Sequence, residues 1–325
     1  MKKIFPYLIV MLSSLFIIAC NDEWKDELYE KTISFGKSGV VQIHVKYDAE
    51  GGLIPYSVPV LVTGSTNNDR NIDVSIAVDN DTLTALNFER FRNRTDLYFI
   101  QLAPENYEFE TMSTTIPSGE NTALINLNLR IQDLDLIDKY ILPLRIAATS
   151  EFAPTSRKFY DTSMLEIIPF NDYSGVYSAS SGLVWDRTRP ESDQTALNVS
   201  TREAKVVDEN SIFFFAGVTE EEDRNRAIYK LKATFNIADA DSLVTLTADS
   251  AQINFSQQKG TFSIRKEMDP LLPYLERKYI IMDLEYEFDD VTNPDYPLEF
   301  RFKGSMTLER KRNILIPEED QQDIF

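Results

Sequence analysis

The chain has 325 residues and carries 33 Lys and Arg against 52 Asp and Glu, a formal net charge of −19 at pH 7. This charge repels nucleic-acid phosphates and anionic lipid headgroups, and no Lys- or Arg-rich stripe offsets it, so neither DNA nor RNA is expected as a partner. The single cysteine excludes a disulfide within the chain, and the single histidine argues against a His-rich zinc site.

The first twenty residues have the pattern of an export leader. Two lysines precede an apolar stretch over residues 4–18, and Ala19 precedes the only cysteine, Cys20. The apolar stretch is shorter than the about 20 residues that a membrane-spanning helix needs, and the cleavage site of an ordinary secreted protein would hold two small residues. Residues 16–20 resemble the lipobox of bacterial lipoproteins, whose cysteine becomes the acylated first residue. We therefore predict a lipoprotein signal peptide over residues 1–19 and lipid attachment at Cys20.

Residues 20–31 are predicted to form an acidic tether. Residues 21–27 are similar to the signal that directs Bacteroidetes lipoproteins to the outer face of the outer membrane, although any solvated tether is charged. The expected location is the outer membrane, with the protein facing the cell exterior. The lipid would be its only contact with the membrane.

Alternation of apolar and polar residues dominates the first half of the mature chain. It is typical of strands with one buried and one solvated face, and it occurs in residues 41–45, 58–62, 72–78, 123–129 and 140–146. Only residues 82–94 have a pattern compatible with a helix. Several strands without crossover helices predict an immunoglobulin-like antiparallel sandwich over residues 32–169.

A break at residues 168–172 separates this region from a second one, because a proline followed by Asn-Asp does not continue a central strand. The alternation then restarts and is strongest in residues 227–237, 280–288 and 298–309. These strands of about 9–11 residues are longer than usual. They predict an antiparallel β-barrel, lipocalin-like, or a curled sandwich over residues 170–325.

Several segments carry a resemblance to known domains. The first half resembles an immunoglobulin-like N-terminal domain of unknown function in Bacteroidetes lipoproteins, of the DUF1735 type. The resemblance lies in VDNDTL at 78–83, LAPENYE at 102–108, IPSG at 116–119 and KYILPL at 139–144. The second half is similar to a C-terminal companion domain of unknown function, of the DUF4973 type, in NDYSGVY at 171–177, RKYIIM at 277–282, FKGSMTLER at 302–310 and PEEDQ at 317–321. The resemblance implies polysaccharide-utilisation systems, in which lipoproteins of this size hold glycans at the cell surface. It supplies no catalytic motif.

Neither catalytic residues nor a cofactor are predicted. A glycoside hydrolase needs two carboxylates about 5–10 Å apart, but 52 acidic residues offer too many pairs for this criterion to discriminate. Each half is mostly regular strand and leaves little chain for a substrate cleft, so we expect no enzyme. The acidic clusters at 79–81, 133–138 and 220–223 lack the residue order of an EF-hand, and we predict no metal site.

Glycan binding requires an exposed aromatic ring beside polar groups, because the ring stacks on the apolar face of a sugar while amides and carboxylates bind its hydroxyls. The candidate glycan-binding residues are Trp185, Asp186, Arg187 and Arg189 in a polar segment, with Tyr274 and Tyr296 beside loop prolines. The alternative for Trp185 is that it ends a strand and closes the barrel mouth. Residues 213–215 are three consecutive Phe. Either one face of this trio is exposed, or the strand is buried on both sides, and the sequence leaves both possibilities open.

The sequence thus predicts a non-catalytic cell-surface lipoprotein that binds a polysaccharide or oligosaccharide by aromatic stacking. The sandwich would be mainly a spacer, and outer-membrane uptake proteins are the expected protein partners. The alternative is a protein-docking or structural and adhesive subunit of an outer-membrane complex without sugar contact. Polymerisation by strand donation needs an alternating terminal segment, which residues 317–323 lack.

Overall fold

The computed structural model describes residues 27–132, 134–157, 159–236, 242–317 and 321. Cys20 and the tether up to residue 26 therefore lie outside the described residues. Within the part that is described, no helix is both long and apolar enough to cross a membrane.

The first unit is a two-layer sandwich. Its strands are β1 (Thr32–Phe35), β2 (Gly39–Lys46), β3 (Ile54–Thr63), β4 (Ile72–Val78), β5 (Ile100–Gln101), β6 (Tyr107–Phe109), β7 (Ser113–Ile116), β8 (Thr122–Leu129), β9 (Tyr140–Thr149) and β10 (Thr162–Phe170). One sheet has the order β1-β3-β8-β6, and the other has the order β2-β10-β9-β4-β7 with β5 beside β9. The apolar side chains of the two sheets meet in one core. The sandwich is mixed, because β2 pairs with β10 and β5 pairs with β9 in parallel.

The predicted helix is present as α1 (Asn80–Phe91). Asp79 caps it: one carboxylate oxygen accepts from the backbone N–H of Thr82 at 3.3 Å and the other from its hydroxyl at 2.6 Å. The helix contributes Leu83 to a small apolar cluster with Phe99, Ile141 and Met164. Ile141 is buried although it neighbours the inward-facing Leu142, because this cluster covers the outer face of β9.

The second unit is a closed barrel of eight antiparallel strands in sequence order. They are β11 (Gly175–Asp186), β12 (Leu197–Asp208), β13 (Ser211–Phe215), β14 (Lys230–Asn236), β15 (Leu243–Ala248), β16 (Ser256–Met268), β17 (Leu275–Asp290) and β18 (Leu298–Asn313). β18 pairs with β11 and closes the sheet. The predicted fold class, all-β with a sandwich followed by an antiparallel barrel, is confirmed, and the barrel replaces the curled-sandwich alternative for the second unit.

Short 3₁₀ helices lie in the connections, at Thr95–Leu97, Pro104–Asn106, Glu191–Asp193, Arg226–Tyr229 and Ala251–Ile253. One of them changes a strand boundary predicted from the sequence. Alternation suggested a strand from residue 227, but β14 begins at Lys230 because the preceding residues form the helix Arg226–Tyr229.

Side chains fill the barrel interior. Tyr177, Phe214, Leu231, Met282, Tyr286 and Phe302 are among its buried residues. β11 and β18 approach each other so closely that a Cβ on Gly304 would lie 2.5 Å from the Cα of Gly182. A lipocalin keeps a ligand inside its barrel, whereas this interior is a packed core. A cleft is therefore expected at an end of the barrel or on its outer wall, and not inside it.

The sandwich covers part of the outer wall of the barrel. Phe214 faces the barrel core, whereas Phe213 and Phe215 pack in a cluster with Leu136 of the sandwich. Of the two possibilities for this Phe trio, the structure shows burial on both sides. Arg226 of the barrel, itself buried, donates to the carbonyl oxygen of Asp96 at 2.8 Å across the same contact.

Asn171 connects the two units. Its side-chain amide donates to the carbonyl oxygens of Asp208 at 2.7 Å and Ser211 at 3.0 Å, which belong to the β12–β13 turn. Its side-chain oxygen accepts from the backbone N–H groups of Tyr173 at 2.9 Å and Ser174 at 2.8 Å. One buried amide therefore fixes the start of the barrel to a turn that is almost forty residues further along the chain.

Replacing Asn171 with Ala is expected to lower the free energy of unfolding by about 1–3 kcal/mol, because it leaves buried backbone groups without partners. Guanidinium unfolding followed by circular dichroism measures the change. Asn198→Ala, at an exposed position of β12, is the matched control and should change the free energy by no more than about 0.5 kcal/mol. Equal stabilities of the two variants would contradict the connecting role of Asn171.

Candidate ligand site at the open end of the barrel

The strands β11, β13, β15 and β17 all end at the same end of the barrel, which we call the open end. Its loops are residues 187–196, 216–229, 249–255 and 291–297. The opposite end carries the 269–274 loop and the end of β18 at Asn313.

A cleft of about 640 Å³ lies at the open end; we call it the mouth cleft. Its apolar walls are Val184, Leu197, Leu298 and Phe300, and its polar walls are Asp186, Arg189, Ser192, Asp193, Gln194 and Thr195. Leu197 and Leu298 are 47% and 45% exposed, an unusual degree for leucines in a concave surface. The cleft thus offers apolar area with a polar rim, the composition expected of a small-molecule site in a barrel mouth.

The loop that forms the polar rim is held by its own side chains. The amide of Gln194 accepts from the backbone N–H of Asp186 at 2.9 Å and donates to the carbonyl oxygens of Asp186 at 2.8 Å and Arg189 at 3.0 Å. The Asp186 carboxylate accepts from the hydroxyl of Thr188 at 2.6 Å and its N–H at 2.8 Å, and from Arg189 Nε at 2.9 Å. Hydrogen bonds from Thr188, then from Arg189, lower the pKa of Asp186. The rim is therefore formed before a ligand arrives.

Arg187 lies on the outer wall and not in the mouth cleft. Its guanidinium binds three carboxylates, Glu287 at 2.6 Å, Asp289 at 3.2 Å and Glu299 at 3.1 Å. Arg301 also donates to Glu287, at 2.9 Å. Burial acts to raise the pKa of Glu287, but hydrogen bonds from Arg301 and Arg187 outweigh it and the pKa is lowered. These contacts join the residue after β11 to β17 and β18, and they occupy the Arg187 guanidinium with partners inside the protein.

Trp185 also faces outward. It follows Val184, which is buried in the barrel core, and successive residues of a strand point to opposite faces. Its partner on β18 is Arg301, and the indole is half-buried. The alternative prediction for Trp185 was that it ends a strand and closes the barrel mouth. Trp185 does lie at the end of β11, but it is beside the mouth and does not line the cleft.

The two candidate tyrosines lie at opposite ends of the barrel. Tyr296 is 74% exposed, in the open-end loop two residues before Leu298. Tyr274 is 39% exposed at the opposite end, with its carbonyl oxygen accepting from the N–H of Ile314 at 2.9 Å. Of the six predicted residues, the structure brings Asp186 and Arg189 into the cleft, puts Tyr296 in a neighbouring loop, and places Trp185, Arg187 and Tyr274 elsewhere.

Sequence reasoning missed the apolar walls of the cleft. Leu298 and Phe300 belong to the inward-facing set of β18 and were interpreted as core. Their position in the first residues of a strand, next to a polar loop, was the available signal. An inward-facing residue at a strand end lies in the barrel mouth, where the core gives way to solvent.

The acidic clusters have local structural roles. Asp79 caps α1, and the Asp223 carboxylate accepts from the N–H of Glu220 at 2.8 Å in a turn. Burial, followed by the neighbouring Asp135, raises the pKa of Asp138. Among the residues described by the structure, no group of three or more His, Cys, Asp or Glu side chains is placed to hold a metal ion.

Arg187→Ala should lower the free energy of unfolding at pH 7 by about 2 kcal/mol, because it removes charge-assisted hydrogen bonds from three carboxylates. The pKa of Glu287 lies below its ordinary value of 4.5 in the folded state, so the stabilisation is present above that pH and is lost as the pH falls through the folded-state pKa. The difference from wild type should therefore shrink at about pH 3. Urea unfolding at both pH values measures it.

Arg189→Ala is the control for this measurement, since Arg189 is exposed and its guanidinium pairs with a single carboxylate, Asp186, among the described residues. It is expected to change stability by less than about 0.5 kcal/mol. A loss in Arg187→Ala that is the same at both pH values would mean that packing, and not charge, accounts for the effect.

Comparison with known protein families identifies two segments. The model of a domain of unknown function, DUF4973, matches residues 24–150, and a second model, described as that of a C-terminal domain, matches residues 161–307. The prediction that the second half is of the DUF4973 type was therefore wrong, since that model matches the first half. Both halves consist of alternating strands, so their periodicity does not show which domain is which. None of the curated proteins compared with the chain matches it.

Several solved structures are similar over most of the chain. A multidomain protein including DUF1735 from Bacteroides ovatus is 36% identical, with 89% of this chain and 98% of that chain covered and a TM-score of 0.78. A protein of unknown function from the same organism is 30% identical, covering 93% and 97%, with a TM-score of 0.77. An auxiliary nutrient binding protein from Bacteroides thetaiotaomicron is 32% identical, covering 87% and 94%, with a TM-score of 0.76. With this identity over nearly their full lengths, the chain belongs to the same family as these Bacteroides proteins, one of which is a multidomain protein including DUF1735.

Proposed function

We propose that this protein is a non-catalytic, cell-surface lipoprotein of a polysaccharide-utilisation system and that it binds an oligosaccharide in the mouth cleft. The mouth cleft carries this proposal: its volume of about 640 Å³ lies within the range of about 300–1,000 Å³ of ligand pockets. The nutrient binding protein from Bacteroides thetaiotaomicron, 32% identical over 94% of its length, supports a binding role.

The walls of the cleft match the two kinds of surface on a sugar. Leu197, Leu298 and Phe300 offer apolar area to the C–H faces of the sugar rings. Tyr296, two residues before the cleft residue Leu298, supplies an exposed aromatic ring that can stack on a sugar. Ser192, Asp193 and Thr195 present hydroxyl and carboxylate groups to sugar hydroxyls. Each contact is weak, and many copies on one cell raise the overall avidity for a long polysaccharide.

The open end favours neutral glycans. Asp186 pairs with Arg189 in the cleft, and Glu191 and Glu299 pair with Arg301 and Arg187 beside it. Asp193 in the cleft and Asp295 in the neighbouring loop add negative charge, on a chain whose net charge is −19. Sulfated or uronate polysaccharides would be repelled.

The purified chain without its leader, residues 21–325, should migrate more slowly in native gels that contain the neutral polysaccharide it recognises. Tyr296→Ala and Leu298→Ala should each weaken retention at least about tenfold, which corresponds to about 1.4 kcal/mol. Tyr274→Ala, at the opposite end, is the matched control and should bind like wild type. Trp185→Ala should also bind normally, since its ring faces the outer wall.

The panel should include neutral and anionic polysaccharides, with release of reducing ends measured in parallel. Loss of retention in Trp185→Ala alone would move the site to the outer wall. Retention on anionic glycans, or release of reducing ends, would contradict the proposed ligand class or the absence of catalysis. No retention on any glycan would favour the protein-docking alternative, and the exposed Leu271, Leu272 and Leu315 at the opposite end are then the surface to vary.

Replacing Cys20 with Ala should abolish lipid attachment, because the thiol of Cys20 is the proposed site of acylation. Radiolabelled fatty acid should enter the wild-type chain but not the variant, and protease added to intact cells should degrade only the surface-exposed wild type. Ser14→Ala, within the leader, is the control. Fatty-acid label that still enters the Cys20→Ala chain would contradict the proposed anchor.

A further inference from the structure

A second cavity lies where the sandwich meets the barrel; we call it the junction pocket. Its volume is about 260 Å³. β2 and β10 of the sandwich contribute Gln42, His44 and Phe170, and the barrel contributes Glu203, Lys205, Leu308, Glu309 and Arg310, among other residues. Cavities between domains are preferred positions for small-molecule sites.

Arg310 gives this pocket a fixed wall. It is 8% exposed, and its guanidinium donates to the carbonyl oxygens of Asn171 at 2.7 Å and Ser174 at 2.5 Å. The same guanidinium lies 5.9 Å from the ring centre of Phe170. The wall is thus held by the segment that connects the two units, and it does not depend on flexible surface side chains.

The pocket combines the groups that recognise a hydroxylated ring. Phe170, Pro169 and Leu308 supply apolar surface, while Gln42 and Glu203 supply an amide and a carboxylate, both on exposed side chains. Lys205 pairs with Glu221 at 2.6 Å and Glu309 with Arg277 at 3.5 Å, so those charges are balanced within the protein. The carboxylate of Glu203 and the guanidinium of Arg310 carry opposite charges, so the wall as a whole is close to neutral. A neutral ligand therefore fits better than an anion or a cation.

We infer that the junction pocket is a second binding site, separate from the mouth cleft, and that it takes one neutral sugar ring. The volume of about 260 Å³ lies just below the range of about 300–1,000 Å³ for drug-sized ligands, so it suits one ring and not a chain. Both units contribute groups, so the ligand binds only when the sandwich and the barrel are in contact. Occupancy consequently stabilises that contact by linkage. The inference does not depend on the ligand of the mouth cleft.

The test uses the chain of residues 21–325 with D-glucose, D-galactose, D-mannose, D-xylose and L-fucose as probes. Each sugar is added at about 0.1 M, which occupies most of a site whose Kd is about 10 mM. Hydrogen exchange followed by mass spectrometry reports on residues 168–176 and 203–205. At least one sugar should slow exchange in both segments and raise the Tm.

Gln42→Ala and Glu203→Ala should each weaken this protection at least fivefold in apparent Kd, because both side chains line the pocket and are exposed. Gln42 also donates to the buried Glu166 at 3.3 Å, so Glu203→Ala, whose Tm without sugar should equal that of wild type, is the decisive variant. Gln258→Ala and Glu267→Ala, at exposed positions of β16 away from the pocket, are the matched controls and should respond like wild type. Tyr296→Ala should also keep the response, which separates this site from the mouth cleft.

Unchanged exchange at the junction with all five sugars would overturn the inference, whether or not a polysaccharide binds at the mouth. Protection by glycine, serine or sodium phosphate in place of a sugar would overturn the ligand class. Protection that Gln42→Ala and Glu203→Ala leave intact would show that the sugars bind elsewhere.

Discussion

The pairing of β11 with β18 is the constraint on which the barrel and its open end depend. It brings the first and last strands together, with Asp186 opposite Phe300 and Val184 opposite Phe302. Gly182 and Gly304 permit the close approach, since a Cβ on Gly304 would meet the backbone of β11. Without this closure, the walls of the mouth cleft would lie on the two free edges of an open sheet. The same pairing removes those edges, which would otherwise be available to another chain.

The second constraint is the burial of β13 on both faces. Its inward Phe214 belongs to the barrel core, and its outward Phe213 and Phe215 belong to the cluster shared with the sandwich. If the sandwich were absent, Phe213 and Phe215 would form an exposed apolar patch on the barrel. Burying this patch stabilises the contact between the two units. The sandwich is therefore more than a spacer. It contributes Leu136 to the cluster around Phe213 and Phe215, and it supplies one side of the junction pocket.

Much of this fold was predictable from the sequence because a period of two is a strong signal in antiparallel strands. The long alternating runs of β17 and β18 indicated a barrel, and the Pro-Phe-Asn-Asp segment at 169–172 lies where β10 ends and the chain passes to β11. Alternation does not reveal which strands lie side by side, so neither the parallel pairing of β2 with β10 nor the fixed position of Asn171 was predicted. Burial of Ile141 depends on α1, which covers that face of the sheet from a distant part of the chain.

The candidate site was harder to predict, and the reason is physical. Asp186, Arg187 and Arg189 are adjacent in sequence and chemically suited to sugars, but successive residues at a strand end point in different directions. Arg187 faces three carboxylates on the outer wall, and Asp186 binds Thr188 and Arg189. Their hydrogen bonds hold the loop in place and leave fewer for a ligand. In the site that we propose, ligand contact falls to the exposed Leu197 and Leu298 and to rim groups such as Asp193, residues that no local motif marks. Polar residues beside a cleft can thus matter more for the shape of the cleft than for contact with a ligand.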